Sequence, residues 1–316
     1  MNHLAIELRN VNKSYGSFRA VDDLSLEVPT GSIYGFLGPN GAGKTTSIRM
    51  ILDIIRPDAG TISILGQSSA FAVRNRIGYL PEEKGLYKKM KAWAVIAYFG
   101  TLKGLTRAES KKRALTLLDR YGLRDFSYKP TEALSKGMGQ KVQILAALVH
   151  DPELVILDEP FSGLDPVNQQ VMEEIVHDMA ARGRTVVFST HVMQHAERLC
   201  QRLVLIARGR KIFDGTVAQA KAKLPRRVLL ETTDDIAPLR SLASVESIQA
   251  SGESNGAKGV AGAWEVRLRD QAEAQAILEA CFANRIQLRR FDQTEPSLHD
   301  VFVQLVGPEA REATYR

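Results

Sequence analysis

Cysteine is nearly missing from this chain. Cys200 and Cys281 are the only two in 316 residues, far apart and without metal-ligand spacing. No disulfide framework is implied, and a reducing compartment is compatible. Long apolar runs are missing as well. The longest, AWAVIAYFG at 92–100 and ILAALV at 144–149, fall well short of the ~20 residues that span a bilayer. The sequence therefore predicts no membrane crossing. The opening MNHLAIELRNVNKSYG has no apolar core of the signal-peptide kind. Acids are missing from one place in particular. Residues 84–113 hold nine Lys or Arg and one acid, Glu109, a net +8, which leaves −2 for the rest of a chain whose total is +6. Such a segment reads as a solvated helical face, or as a surface turned towards headgroups, a partner or nucleic acid.

What is present is globular. Apolar residues make up 44% and charged residues 25%, enough for one large domain and a smaller one. Alternating segments at 4–11 and 24–28 predict antiparallel strands, and SIYGFLG at 32–38 a buried strand feeding a loop. Helical spacing runs over 45–55 and stops before Pro57. Short strands are predicted at 61–66 and 77–80, mostly helix over 91–150, then strand 154–157, helix about 166–182, strand 184–191, helix 192–200 and strand-like residues 203–215. Apolar strands alternating with helices predict an α/β fold, parallel in its core. Composition shifts near residue 220. Strand-like runs at 227–233, 264–270 and 286–292, helical runs at 271–285 and 296–306, and a Gly/Ser-rich stretch at 250–262 predict a small separate α+β domain.

Residues 38–45, GPNGAGKT, follow a strand and open a helix. This is the G-x-x-x-x-G-K-[ST] phosphate loop in its proper context. Gly38, Gly41 and Gly43 let the backbone of 38–46, which runs through Pro39, Asn40, Ala42 and Thr46, curl so that its N–H groups, of which Pro39 has none, face phosphate oxygens. Lys44 supplies charge to the β/γ-phosphates and Thr45 a hydroxyl to Mg²⁺. In LVILDEP, 154–160, two carboxylates close an apolar strand, at the end where parallel sheets bind ligands. Asp158 is placed to hold Mg²⁺ through water, and Glu159 to polarise an attacking water. LSKGMGQ, 134–140, puts serine, glycine and lysine at the start of a second apolar helix, another place for an anion. His191 and His195 stand four apart, as zinc ligands on a helix do, but Val192 replaces the glutamate of H-E-x-x-H and no third ligand is evident. His191 reads as a γ-phosphate contact and His195 as helix surface. Tyr15, beside Gly16, reads alone as core or turn.

In this order these motifs resemble the ATP-binding cassette family, the motor subunits of ABC transporters, over residues 4–220. The resemblance implies a P-loop cassette with a mostly parallel core sheet, antiparallel N-terminal strands and a helical subdomain about 84–150, within 1–222, followed by an accessory domain at 225–310. It makes Tyr15 the adenine-stacking aromatic, LSKGMGQ the signature loop, Asp165 of SGLD part of the D-loop and His191 the switch histidine. Glu82 stands where the family usually has glutamine. It can still meet Mg²⁺, but adds negative charge beside the γ-phosphate. Lys136 and Met138 depart from the usual Leu-Ser-Gly-Gly-Gln, while Ser135 and Gly137, the phosphate-contacting pair, are kept. The implied assembly is a head-to-tail dimer, expected to be a homodimer, with two ATP molecules each between one copy's GPNGAGKT and the other's LSKGMGQ. It would work on the cytoplasmic face of the membrane, through a separate transmembrane permease. GYLPEEKGLY and TEPSLHDVFVQL resemble bacterial ABC-2-type exporters in particular. A soluble cassette protein acting on nucleic acid or ribosomes is the other reading. Relatives of that kind usually carry two cassettes or long coiled coils, and this chain has one cassette and no sustained heptads, so a nucleic-acid partner is not expected.

Overall fold

A computed structural model describes residues 3–83, 85–250, 262–269 and 274–307. Lys84, most of the Gly/Ser-rich stretch and the start of the helical run at 271 lie outside the described residues. The chain forms two compact units, one holding 3–217 with 306–307 and the other 218–305.

The first unit begins with β1 (Leu4–Tyr15) and β2 (Phe18–Pro29), which pair antiparallel as expected. Then follow β3 (Ile33–Leu37), α1 (Lys44–Ile51), β4 (Ala59–Ile64), β5 (Ile77–Leu80), α2 (Ala92–Leu102), α3 (Arg107–Arg120), α4 (Lys136–Leu148), β6 (Leu154–Leu157), α5 (Pro166–Ala181), β7 (Thr185–Thr190), α6 (Met193–Leu199), β8 (Arg202–Ala207), β9 (Arg210–Thr216) and α7 (Val217–Lys221), the last crossing into the second unit. Among the described residues the central sheet runs β5-β6-β7-β3-β8-β9. It is parallel up to β8, and β9 turns back antiparallel. The strands β3, β6 and β7 are buried along their whole length, which is why they read as continuous apolar runs rather than alternations. Order β2-β1-β4 makes a separate antiparallel sheet.

α1 is shorter than its helical spacing suggests. It ends at Ile51, and Asp53 takes a left-handed φ of 59°, a conformation that ends helices. α2, α3 and α4 pack into one apolar cluster around Val95, Leu118, Val142 and Leu145.

The second unit contains β10 (Arg227–Glu231), α8 (Ala237–Arg240), β11 (Val245–Ala250), β12 (Ala263–Leu268), α9 (Gln275–Ala283), β13 (Arg290–Thr294) and most of α10 (Leu298–Val306). Its antiparallel sheet has order β11-β12-β10-β13 and a core including Val228, Leu230, Val266 and Ile277. Two details differ from expectation. β13 starts at Arg290 rather than 286, because the Gln287 N–H is taken by Asp234 Oδ2 at 2.7 Å and pairing with β10 begins only at Arg290. β11 was not foreseen. A register shift between Val245 and Ser247 leaves Val245 and Ile248 buried three apart, so no two-residue alternation marks the strand.

Candidate active site

Two parallel strands deliver the chemistry to one end of the central sheet. β3 runs into the phosphate loop, which turns through Gly41 and Gly43 at φ 76° and 101°. A side chain at Gly43 would run into the Ala20 carbonyl, so only glycine lets the loop sit this close to β2. α1 starts directly afterwards, leaving the N–H groups of its first turn without intrahelical acceptors. The loop encloses a cavity of about 330 Å³ lined by Asn40 through Thr46, with Tyr15, Phe18, Ala20, Glu82 and Glu159. Gly38 and Pro39 stand behind it. Their carbonyls accept from Lys44 Nζ at 2.8 and 3.1 Å. Tyr15 is 51% exposed at the cavity's edge, with Lys13 Nζ 5.9 Å from its ring centre.

Carboxylates arrive on β6. Asp158 is buried, and its Oδ1 accepts from Ser189 Oγ at 2.6 Å and Thr45 Oγ1 at 3.3 Å. Its Oδ2 is buried with no hydrogen-bond partner. Burial holds this carboxyl above the usual carboxylate range, against the opposing pull of the Ser189 hydrogen bond. Glu159 follows at a left-handed φ of 48°, its N–H donated to Ser189 Oγ at 2.9 Å. Such a conformation in a bulky residue is strained and is held by its surroundings. Its carboxylate lies between two bases, Lys44 Nζ at 3.3 Å and His191 Nδ1 at 3.0 Å. It lines the phosphate-loop cavity and also a second cavity of about 290 Å³ with Ser162, Gly163 and His191.

An orphaned buried carboxylate oxygen beside a threonine hydroxyl is a hard-oxygen donor set that suits Mg²⁺. Among the described residues no group of three or more His, Cys, Asp or Glu gathers as a metal cage, and Mg²⁺ bound with phosphates needs none. Glu82 is exposed at the rim of the same cavity.

Ser135, Gly137 and Asp165 lie elsewhere; none lines the phosphate-loop cavity. Ser135 is exposed and caps α4, accepting from the Met138 N–H at 3.3 Å. Gly137 lies so close to Asn168 that a side chain there would collide with it, and Lys136 likewise covers Gly163. Gln140 Nε2 donates to the Pro160 carbonyl. Asp165 caps α5 through the Asn168 N–H at 2.9 Å, which holds its carboxyl below the usual range. The start of α4 is thus packed against Pro160, Gly163 and Asn168 of its own chain and leaves its serine exposed.

His195 is not helix surface. It is buried, with its ring stacked on Phe161 at 4.2 Å and 15° and Nδ1 3.7 Å from Glu173. α6 buries Met193, Ala196 and Leu199 along with His195, whose ring finds its partner in Phe161. Nor do the two histidines share a metal, since His191 is turned to Glu159. Ser189 was missed in the sequence. Its signal was there, a hydroxyl inside the fully buried run TVVFST, because a buried polar side chain needs a partner.

Comparison with known proteins agrees with this geometry. Residues 21–162 match the ABC transporter family model, and residues 215–306 match the C-terminal domain of DrrA1-3-like ATP-binding proteins. The chain is 40% identical over 96% of its length to the uncharacterized ABC transporter ATP-binding protein YhaQ of Bacillus subtilis (strain 168), covering 98% of that protein. It is 33% identical over 97% of its length to the daunorubicin/doxorubicin resistance ATP-binding protein DrrA of Streptomyces peucetius, covering 93% of it. A solved ATP-binding subunit of an ABC transporter superposes with a TM-score of 0.64 at 32% identity, over 69% of this chain and 92% of that one. A G-x-x-x-x-G-K-T loop, a buried aspartate–glutamate pair and a histidine against that glutamate, at one end of a mostly parallel sheet, fit a P-loop ATPase cassette. The chain belongs to the ATP-binding proteins of ABC transporters, in the exporter class that carries a DrrA-like C-terminal domain.

Proposed function

We infer that this chain is the ATP-hydrolysing subunit of an ABC-2-type exporter, two copies of which close on two ATP molecules and move a separate membrane permease. One observation carries the catalytic assignment: the Glu159 carboxylate stands between Lys44 and His191 and borders both cavities. ATP phosphates entering the first cavity compete for Lys44 Nζ, now on the Gly38 and Pro39 carbonyls. Glu159 is then left to accept a proton from water attacking the γ-phosphate, with His191 aligning it. Thr45 and Asp158, with Glu82 at the rim, would hold Mg²⁺, which neutralises charge on the β/γ-oxygens. Tyr15 offers its exposed face to the adenine. Ser135 and Gly137, outside the copy's own cavity, suit the partner copy's γ-phosphate, with Asp165 beside that interface. The assembly is read as a homodimer.

A groove of about 470 Å³ between the end of α1 and β5 offers a permease a seat. It exposes Phe71 (67%) and Ile54 (56%), with Arg74 and Lys103 beside them, which suits an apolar segment bearing an acid. Among the described residues no helix is long and apolar enough to cross a membrane, so such a subunit would sit at the membrane's cytoplasmic face through its permease. Residues 1–222 are assigned to the cassette, with 84–150 its helical subdomain, and 225–310 to an accessory domain that regulates or supports the dimer.

Replacing Glu159 by glutamine tests the catalytic reading. Shape and hydrogen bonding stay, but the base is lost, so kcat for ATP should fall ~10²–10⁴-fold with ATP still bound. Hydrolysis at the unaltered rate would overturn it.

A further inference from the structure

The acid-poor segment is not only charged. In its described part Lys103 donates to the Arg74 and Ile77 carbonyls, and Arg113 pairs with Glu109 at 2.7 Å. Lys88, Lys89, Lys91, Lys111 and Lys112 make no ion pair among the described residues, and neither does Lys129 across the turn. Two of these lysines meet two aromatic rings. Lys111 Nζ lies 5.1 Å from the Trp93 ring centre, Trp93 and Tyr128 lie 6.4 Å apart, and Lys91 Nζ is 5.9 Å from Tyr128. The belt is rigid, because the Trp93 N–H donates to the Ser127 carbonyl at 3.1 Å and the Ala92 N–H to the Lys129 carbonyl at 3.0 Å. Tyr128 is 58% exposed, and the Trp93 indole N–H is buried without a partner.

We propose that this belt, Lys91–Trp93–Tyr128 with Lys111 and Lys129, binds anionic phospholipid headgroups directly, apart from any permease. Lysines without carboxylate partners supply the attraction to a negative leaflet. Tryptophan and tyrosine are the rings that settle at headgroup depth, apolar body inward and polar tip outward. A lipid surface is chosen over RNA partly on the functional reading above, which brings the chain to a membrane.

The test uses the purified full chain and protein-free vesicles, so the permease plays no part. The chain should sediment with phosphatidylglycerol vesicles at low salt, stay in solution with phosphatidylcholine vesicles, and be released as salt rises. Lys91→Gln, Lys111→Gln and Lys129→Gln together should weaken binding about a hundredfold, from roughly fivefold per lysine near the surface. Tyr128→Ser should weaken it several-fold. In a Trp264→Phe background Trp93 is the sole tryptophan, and its fluorescence should shift on adding phosphatidylglycerol but not phosphatidylcholine. ATP hydrolysis by the same preparations should be unaltered, which shows that the variants are folded and separates a failure here from a failure of the ATPase reading. No sedimentation with phosphatidylglycerol, equal binding by the triple variant, or displacement by polyuridylate at matched charge would each overturn the proposal.

Discussion

Two glycine-bearing loops open two helices in this protein, and they differ in what surrounds them. The loop before α1 is enclosed: left-handed glycines, a buried lysine and two carboxylates converge on one cavity. The loop before α4 is open. Its serine is exposed and caps its own helix, its glycine abuts Asn168, and neither lines the cavity of the first loop. On the proposed reading the first holds and hydrolyses ATP. The second offers a hydroxyl and a helix N-terminus facing outward, which that reading makes half of a site. The difference teaches that sequence similarity between anion loops says little about how complete each site is within one chain.

Substitutions at Ser135 should separate the two roles of that residue. Aspartate caps a helix as well as serine does, so Ser135→Asp should leave the melting temperature nearly unaltered. It places a negative charge against the partner's phosphate and loses a hydroxyl contact worth about 1.5–3 kcal/mol, twice by symmetry. In a Glu159→Gln background the ATP-bound dimer constant should weaken by ~10²-fold or more, read by sedimentation. Ser135→Ala, in contrast, should also cost about 1 kcal/mol of stability through the lost cap. An undiminished dimer in Ser135→Asp would mean that the open loop faces no phosphate.

A second set concerns how the closed site is braced. His195 stacks on Phe161, two residues after Glu159, and Gln140 holds the Pro160 between them. His195→Ala should lower kcat about tenfold by loosening Glu159, with the Kd for ATP unaltered. His195→Phe, which keeps a ring on Phe161, should restore it. If alanine leaves kcat intact, the stack supports the fold alone.

The smallest effect belongs to a residue remote from both loops. His150 is largely buried, its Nε2 3.1 Å from the Ile77 carbonyl, and burial lowers its pKa from 6.5 to about 4. A depressed pKa favours the neutral ring in the fold. Its stability contribution is whole above pH 6.5 and drains away as pH falls towards 4. Urea unfolding at pH 7 and pH 5 should differ by about 1–2 kcal/mol through this group. His150→Leu should flatten that part of the slope, and an unaltered slope would exclude the assignment.

Much of this was legible in the sequence, for local reasons. β5 lies at 77–80 as its apolar run predicts, and the phosphate loop, strand and helix are contiguous, so spacing alone reveals them. The rest depends on contacts distant in sequence. Ser189 reaches Asp158 from a neighbouring strand, and Asn168 shapes the approach to Gly137 from another helix. His195 looked like surface because nothing nearby in sequence announces Phe161 above it. In the second unit, β11 was hidden by its register shift.

The central claim is that the open loop of one copy completes the closed site of another, and the oligomeric state of Glu159→Gln tests it most directly. With its base gone, the variant keeps ATP instead of spending it, so the nucleotide should hold two copies together. Size-exclusion chromatography with light scattering should find a dimer in ATP and Mg²⁺ and a monomer in ADP. A Glu159→Gln protein that demonstrably binds ATP yet remains monomeric, both alone and with its permease, would contradict the claim.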